Sequence, residues 1–511
     1  MNRLVPAFFL ASLFSLLGAA PSLYPADAGA GLEYGPYPVG FELVEAVDQS
    51  RSFPSADGSG FGGRPIRTYI WYPAQEKGPR PMTVGDFVQM AADDFRLSRE
   101  TAPSSRARDR LPVPLAKGLD EIEIRALLDR PLKSSRGVEA ARGEFPLLVL
   151  GQGLYYESPL SHVILCEYLA SRGYVVASCP LLGSQYRLVN LNVEDLETQI
   201  RDMEFVIAEA RSRTNVHPRS LGIIGYDLGG MAGLILAMRN PGVEAFLSLD
   251  CAIIFSHFSG LPGTHPQYRE DRFAAPWMHI TQGRFVEAAR QDKNPILLNR
   301  KAPADSWIVS VPTDCHGQFT SYATFGISRE VRGYWNSMAE DAMALHDGIC
   351  RLAGDFFDGA LRKDVAAAEK LRTAGAGGGP FKIDRLPGVV LPPSSRTLMH
   401  EIIEKGLTEV RPIINRIRAG DPEARILDEK ELNWLAYHFL LWWGREDEAL
   451  EVFRLNADLN PGSADACAEL GSAFLILDRK DEAIAAFRKA LEIKPDMPSV
   501  KAALESLTEK K

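Results

Sequence analysis

The chain has 511 residues, 46% of them hydrophobic and 24% charged, the make-up of a globular protein large enough for two or more domains. Its net charge of -9 weighs against nucleic acid or an anionic membrane surface as a partner. Six cysteines in this length are too few for a disulfide scaffold.

The N-terminus has the layout of a secretory signal. Arg3 supplies the positive region, residues 4–17 are apolar, and small residues follow at Gly18-Ala19-Ala20 and Ala26-Asp27-Ala28. The apolar run is shorter than the roughly 20 residues a spanning helix needs, and no later stretch is long enough. No cysteine lies near the cleavage positions to carry a lipid anchor. Residues 1–28 are therefore expected to be a signal peptide, leaving an exported protein in the periplasm or outside the cell, with no integral membrane span.

Residues 29–66 are rich in Gly, Pro and polar groups and are expected to wrap the surface. Residues 68–73 read as a first strand, β-branched and aromatic, ended by Pro73. Residues 76–143 look like an irregular excursion, with helical patterning at 84–95. A buried strand follows at 145–150, leading into Gly151-Gln152-Gly153-Leu154. A helix is expected over 161–172, closed by Gly173, then a strand over 174–180 and an amphipathic helix over 195–211. Residues 221–224 are a short buried strand and 231–238 a buried helix. Three more strands are expected at 244–250, 277–281 and 307–311, and a closing helix at 342–361. Strands alternating with helices imply a mostly parallel sheet covered on both faces, an α/β domain over 29–373.

Residues 374–379 read Ala-Gly-Ala-Gly-Gly-Gly and 386–395 are rich in Pro and Ser, so 374–396 is expected to be a linker. Beyond it, residues 397–511 turn helical and repeat. Asp447-Glu448-Ala449-Leu450 recurs as Asp481-Glu482-Ala483-Ile484, Phe453 as Phe487 and Pro461 as Pro495, each pair 34 residues apart. That is the tetratricopeptide period. Leu470, Gly471, Phe474, Ala483, Phe487, Ala490 and Pro495 fit the motif; the earlier copy is degenerate, with Tyr437 where Gly471 stands. Two or three such repeats bury little core alone, so this all-α region is expected to pack on the α/β domain or on a protein partner.

Between the strand 221–224 and the helix 231–238 lies Gly225-Tyr226-Asp227-Leu228-Gly229-Gly230. Strand, tight glycine turn, helix is the context of the Gly-x-Ser-x-Gly nucleophile elbow, with Asp227 in the nucleophile position. The partners follow in the order such sites use. Asp250 ends the next strand, and His316 follows the strand 307–311 within Thr313-Asp314-Cys315-His316-Gly317. All three sit at carboxyl ends of strands, where open α/β sheets place their sites. An oxyanion hole would use the backbone N–H of Leu228 and that of Leu154. The Asp227 side chain is expected within hydrogen-bond reach of His316, with Asp250 on the far side of the imidazole. His162 and His279 read as structural. Nothing points to a metal or a cofactor. Cys251 and Cys315 adjoin Asp250 and His316, so a bridge between them is conceivable in an oxidising compartment.

On these stretches, residues 64 to 365 resemble the platelet-activating-factor acetylhydrolase-like and dienelactone-hydrolase-like branch of the α/β-hydrolases. Residues 397–505 resemble the tetratricopeptide-like tail of some secreted bacterial hydrolases. The resemblance implies an α/β-hydrolase fold, hydrolysis of acyl esters, lipid esters or lactones, an acid at Asp250, a base at His316 and oxyanion donors at Leu154 and Leu228. The chain departs from that pattern at Asp227, where the family has Ser or Cys, and at Gly151-Gln152-Gly153, where a Ser-His-Gly-like run is usual.

Aspartate changes the chemistry. A carboxylate needs no base to become a nucleophile, but its attack on an ester carbonyl would give a high-energy anhydride. It suits attack on a saturated carbon bearing a good leaving group. Haloalkane dehalogenases and epoxide hydrolases use that route on the same fold, though they usually carry an aromatic residue where Leu228 stands. Three readings follow: a hydrolase acting on an ester-like or alkyl substrate through Asp227, an inactive hydrolase-like binding domain, and a scaffold for interacting repeats.

Overall fold

The computed structural model describes residues 31–55, 59–94, 119–154, 159–186, 188–213, 215–251, 253, 260–269, 272–291, 303–325, 342–373, 380–388, 393, 395–420, 424 and 426–508. The expected signal peptide lies outside the described residues. Two compact units divide the chain, Met1–Val390 and Leu391–Lys511.

The first unit runs through β1 (Val39–Pro54), β2 (Phe61–Pro73), α1 (Val84–Asp94), α2 (Glu121–Leu128), β3 (Ser134–Arg136), β4 (Phe145–Gly151), α3 (Val163–Ser171), β5 (Val175–Ser178) and α4 (Val193–Arg211). It continues with β6 (Val216–Tyr226), α5 (Leu228–Arg239), β7 (Ala245–Leu249), β8 (Trp277–Gln282), α6 (Gly283–Gln291), β9 (Ser306–Val311), α7 (Ala342–Leu361), α8 (Val365–Thr373) and β10 (Lys382–Leu386). The strands form one sheet in the order β10-β9-β8-β7-β6-β4-β5-β2-β1-β3. Strands β5, β4, β6, β7, β8 and β9 are parallel to their neighbours in that run. Strand β2 is antiparallel to β1 and β5, and β10 is antiparallel to β9. This is an α/β-hydrolase fold with a mostly parallel sheet.

The central strands read as unbroken apolar runs because both of their faces are covered. Leu148, Leu150, Ile224 and Leu249 face one core with Ile164 and Leu169 of α3 and Ile349 and Phe357 of α7. The alternate residues Leu147, Val149, Ile223 and Phe246 face the other, with Ile200 and Met203 of α4 and Met231 and Ile235 of α5. Period-two alternation thus places Tyr226 on the α3–α7 side of the sheet.

Two expectations change here. The segment expected to wrap the surface holds β1 and the start of β2, paired antiparallel from Val39↔Pro73 to Pro54↔Phe61. The outer part of this long hairpin carries polar residues and glycines, which hides its strand character. Strand β10 falls inside the stretch expected to be linker, pairing Lys382↔Ser310 through Leu386↔Ser306; residues 374–379 lie outside the described residues.

The second unit holds α9 (Ser395–Lys405), α10 (Leu407–Gly420), α11 (Glu429–Leu441), α12 (Glu446–Leu459), α13 (Ala464–Ile476), α14 (Lys480–Ile493) and α15 (Pro498–Thr508) around a core of its own. Helices α13 and α14 meet where Gly471 leaves room for Phe487: a Cβ at Gly471 would fall 2.6 Å from that ring. One repeat earlier Tyr437 takes the glycine's place and meets Phe453 edge-on, at 4.9 Å between ring centroids. Among the described residues no helix is long and apolar enough to cross a membrane.

Candidate active site

Strand β6 ends at Tyr226 and helix α5 starts at Leu228, so Asp227 alone makes the turn. Its backbone has φ 49° and ψ −116°. Such a conformation costs a residue other than glycine on the order of 1–3 kcal/mol. The turn closes because its neighbours are small. A Cβ at Gly229 would fall 2.1 Å from the Gly151 carbonyl oxygen, and one at Gly153 would fall 2.6 Å from Cβ of Asp227. Helix α5 therefore packs directly on the loop that follows β4. The Asp227 N–H donates to the Leu249 carbonyl at 3.2 Å, tying the turn to the end of β7.

Asp227 is only 3% exposed, and its Oδ2 accepts the Leu154 N–H at 3.0 Å. The Leu228 N–H also acts on this carboxylate, lowering its pKa. The two backbone donors expected to form an oxyanion hole thus both act on the side chain of Asp227 itself, Leu154 through a direct bond. Leu154 is aimed by its loop. The Gln152 side chain donates to Ser178 Oγ at 2.8 Å, and the Gln152 carbonyl accepts from Gln199 Nε2 at 2.7 Å.

Asp250 follows β7, fully buried, with a φ of 40°. Its Oδ1 accepts from Thr281 Oγ1 at 2.7 Å, and its Oδ2 from Gln282 Nε2 at 2.7 Å. His316 opens a short 3-10 turn, His316–Phe319, after β9, and its Nδ1 lies 2.5 Å from Asp250 Oδ2. The Tyr226 ring stacks on the His316 ring, with centroids 4.7 Å apart and planes 23° apart. The structure thus brings Asp227, Asp250, His316, Leu154 and Leu228 together. Asp227 acts on His316 through its charge, while the hydrogen bonds just described hold its carboxylate to the backbone.

Burial by itself would push all three titratable groups towards neutrality. For Asp250 the hydrogen bonds from His316, Thr281 and Gln282 outweigh it and hold the carboxyl below its usual range. Burial lowers the His316 pKa, but the hydrogen bond and charge of Asp250, joined by the charge of Asp227, raise it overall. For Asp227 burial wins: its pKa is raised, against the charge of His316 and the Leu154 N–H. The arrangement is a buried carboxyl group beside an imidazole whose pKa is raised.

The sequence reading missed three contributors. Thr281 and Gln282 hold Asp250, and their only signal is a polar pair ending an apolar strand. Tyr226 is the aromatic residue inside Gly225-Tyr226-Asp227, unremarkable until its ring is seen against His316. His162, read as structural, is fully buried and meets Tyr226 at 4.8 Å; burial, then the charges of His346 and His316, push it down to about 3. His279 is held by Ser248 Oγ at 2.7 Å in the sheet. The bridge between Cys251 and Cys315 is not formed: all six cysteines are free thiols. Cys251 instead packs under the turn, where a Cβ at Gly230 would fall 2.3 Å from its Sγ. Among the described residues no His, Cys, Asp and Glu group is arranged to hold a metal ion.

In comparisons with known proteins, residues 464–497 match the family model for the tetratricopeptide repeat. No curated protein matches the sequence. Among solved structures the chain is similar to a ferulic acid esterase from Streptomyces cinnamoneus, with 18% identity, a TM-score of 0.46, and coverage of 64% of this chain and 91% of that one.

Proposed function

We propose that the first unit is an exported hydrolase that uses Asp227 as a carboxylate nucleophile on a saturated carbon bearing a good leaving group. We assign it to the platelet-activating-factor acetylhydrolase-like and dienelactone-hydrolase-like branch, altered at the nucleophile. The leader-like pattern of residues 1–28 supports export, and the repeat at 464–497 supports a protein partner for the second unit.

The observation that carries the reading is the Leu154 N–H, which donates to Asp227 Oδ2 at 3.0 Å, with the Leu228 N–H acting on the same carboxylate. A serine hydrolase keeps those donors empty for the carbonyl oxygen of its substrate. Here an acyl substrate would have no donor pair left, which weighs against ordinary ester hydrolysis. An alkyl substrate needs none at first. Asp227 Oδ1 forms a bond to the carbon, and the leaving group departs with its electron pair. Oδ2 then becomes the carbonyl oxygen of an alkyl ester, already bonded to the Leu154 N–H. In the second step His316 Nε2 takes a proton from water as the water oxygen bonds to Asp227 Cγ. The oxyanion that develops on Oδ2 is held by the same two donors. Collapse breaks the Cγ–O bond to the alkyl group, His316 returns the proton to the departing alcohol, and the carboxylic acid left on Asp227 gives its proton to solvent, which restores the carboxylate.

The charges suit this order. The Asp227 carboxylate helps to hold His316 protonated. Esterification removes that charge, so the His316 pKa falls in the intermediate that needs a base.

The test is to trap the intermediate. His316→Ala should still form the alkyl-enzyme but break it down slowly. Incubated with a set of primary alkyl iodides and epoxides, this variant should gain the mass of one alkyl group (or ring-opened epoxide) on the peptide bearing Asp227. A variant that stays unmodified across the set, with its fold intact, would favour the second reading, an inactive hydrolase-like binding domain.

A further inference from the structure

We infer that Tyr226 is a positioning residue for His316, fixing the plane of the imidazole in the water-activating step; this rests on the Asp227 reading above. His316 is carried by a loop, and Asp250 holds it at one ring nitrogen. One hydrogen bond fixes the position of Nδ1 but leaves the ring free to swing about the Nδ1···Oδ2 direction. A swing of that kind would carry Nε2 away from the water it must deprotonate. The Tyr226 ring, stacked at 4.7 Å and 23°, removes this freedom. The Tyr226 hydroxyl also donates to the His316 backbone carbonyl at 3.2 Å, so one side chain restrains both ring and main chain.

Tyr226 is well placed to do this. It is fully buried on β6 and is the residue immediately before Asp227. Base and nucleophile are thereby referenced to one rigid strand instead of two independent loops. The Tyr226 ring also meets His162, at 4.8 Å and 61°. Among the described residues the groups facing His316 include Asp250 after β7, Asp227 and Tyr226 at the end of β6, and His162 before α3, with His346 of α7 acting on His162 in turn. His162 stays neutral, so no second positive charge opposes the imidazolium, while the π-face of Tyr226 favours it.

The test separates the two steps. Tyr226→Met removes the ring and keeps an apolar side chain of adaptable shape. It should leave the rate of Asp227 alkylation within about twofold, because that step uses no base, and slow alkyl-enzyme breakdown by about tenfold or more. In full-length protein labelled with 15N-histidine, it should also lower the His316 pKa by about half a unit, as loss of a cation–π contact would. Tyr226→Phe keeps the stack and loses the hydroxyl bond. It should leave the pKa in place and slow breakdown only severalfold.

Wild-type breakdown and His316 pKa in Tyr226→Met would overturn the inference, as would alkylation and breakdown falling by one common factor. Should Tyr226→Met fail to fold, a Tyr226→Phe protein whose pKa falls as far as half a unit would overturn it, and an unchanged pKa would support it. A wild-type protein that forms no alkyl-enzyme would refute the nucleophile reading, and the histidine titration would then decide the positioning role alone.

Discussion

Asp227→Ser is expected to turn the protein, whose own activity on p-nitrophenyl acetate should be weak, into an esterase, raising the rate by about 10²-fold or more over the native chain. Three effects act together. A serine side chain does not reach as far as a carboxylate, so Leu154 N–H and Leu228 N–H become free to receive the carbonyl oxygen of an acyl substrate. Loss of the Asp227 charge removes one of the influences that hold His316 protonated, which leaves more of the base form near neutral pH. The strained turn, at φ 49°, already presents the residue in the manner of a nucleophile elbow. The acid–base pair His316 and Asp250 stands at 2.5 Å and needs no rebuilding. Steady-state hydrolysis of p-nitrophenyl acetate measures the gain, with Asp227→Ala as the control. No gain in a folded Asp227→Ser protein would mean that the site cannot place an acyl group. High native activity that survives in Asp227→Ala would put the chemistry elsewhere.

The second large effect belongs to Asp250. Asp250→Asn should leave alkylation of Asp227 close to wild type and slow alkyl-enzyme breakdown by about 10³–10⁴-fold, the scale on which an imidazole suffers when its carboxylate partner is lost. Burial of Asp250 opposes its ionisation, yet bonds from His316, Thr281 and Gln282 keep it charged. An amide in its place would no longer stabilise the imidazolium and would disfavour the required tautomer. The same logic sets the pH profile. The His316 pKa is raised, so the base form is scarce below that pKa and grows above it. Breakdown in the wild type should therefore rise with pH and level off above the His316 pKa of the alkylated enzyme, which Asp250 still raises but the esterified Asp227 no longer does, measured by rapid mixing of the alkylated enzyme. Asp227 has a raised pKa as well, so its alkylation should also fall at acid pH, where the carboxyl is protonated and not nucleophilic. A breakdown rate independent of pH, or equal losses in both steps for Asp250→Asn, would contradict the assignment of His316 as base.

Much of this was legible in the sequence because the central strands are buried on both faces and read as plain apolar runs. The elbow was legible because its glycines are forced: the approach of Gly229 to Gly151 leaves no space for a side chain. The order of Asp227, Asp250 and His316 along the chain followed from strand ends. What stayed hidden is of two kinds. Strands β1 and β10 lie towards the sheet edges, where a strand shows one covered face or none and its composition looks like loop. The other kind is direction. No pattern in the chain says that Leu154 and Leu228 would grip Asp227 itself, that Gln282 and Thr281 would hold Asp250, or that Tyr226 would lie flat on His316. Those depend on where side chains point once separate strands are side by side.

The source of the oxygen in the product tests the central claim most directly. In a single turnover with an alkyl iodide in water enriched in 18O, attack by Asp227 predicts an alcohol that carries unlabelled oxygen taken from the aspartate, and 18O incorporated into the Asp227 carboxylate. An alcohol that carries 18O in that first turnover, with Asp227 unlabelled, would mean that water attacks the substrate carbon directly, and Asp227 would not be the nucleophile.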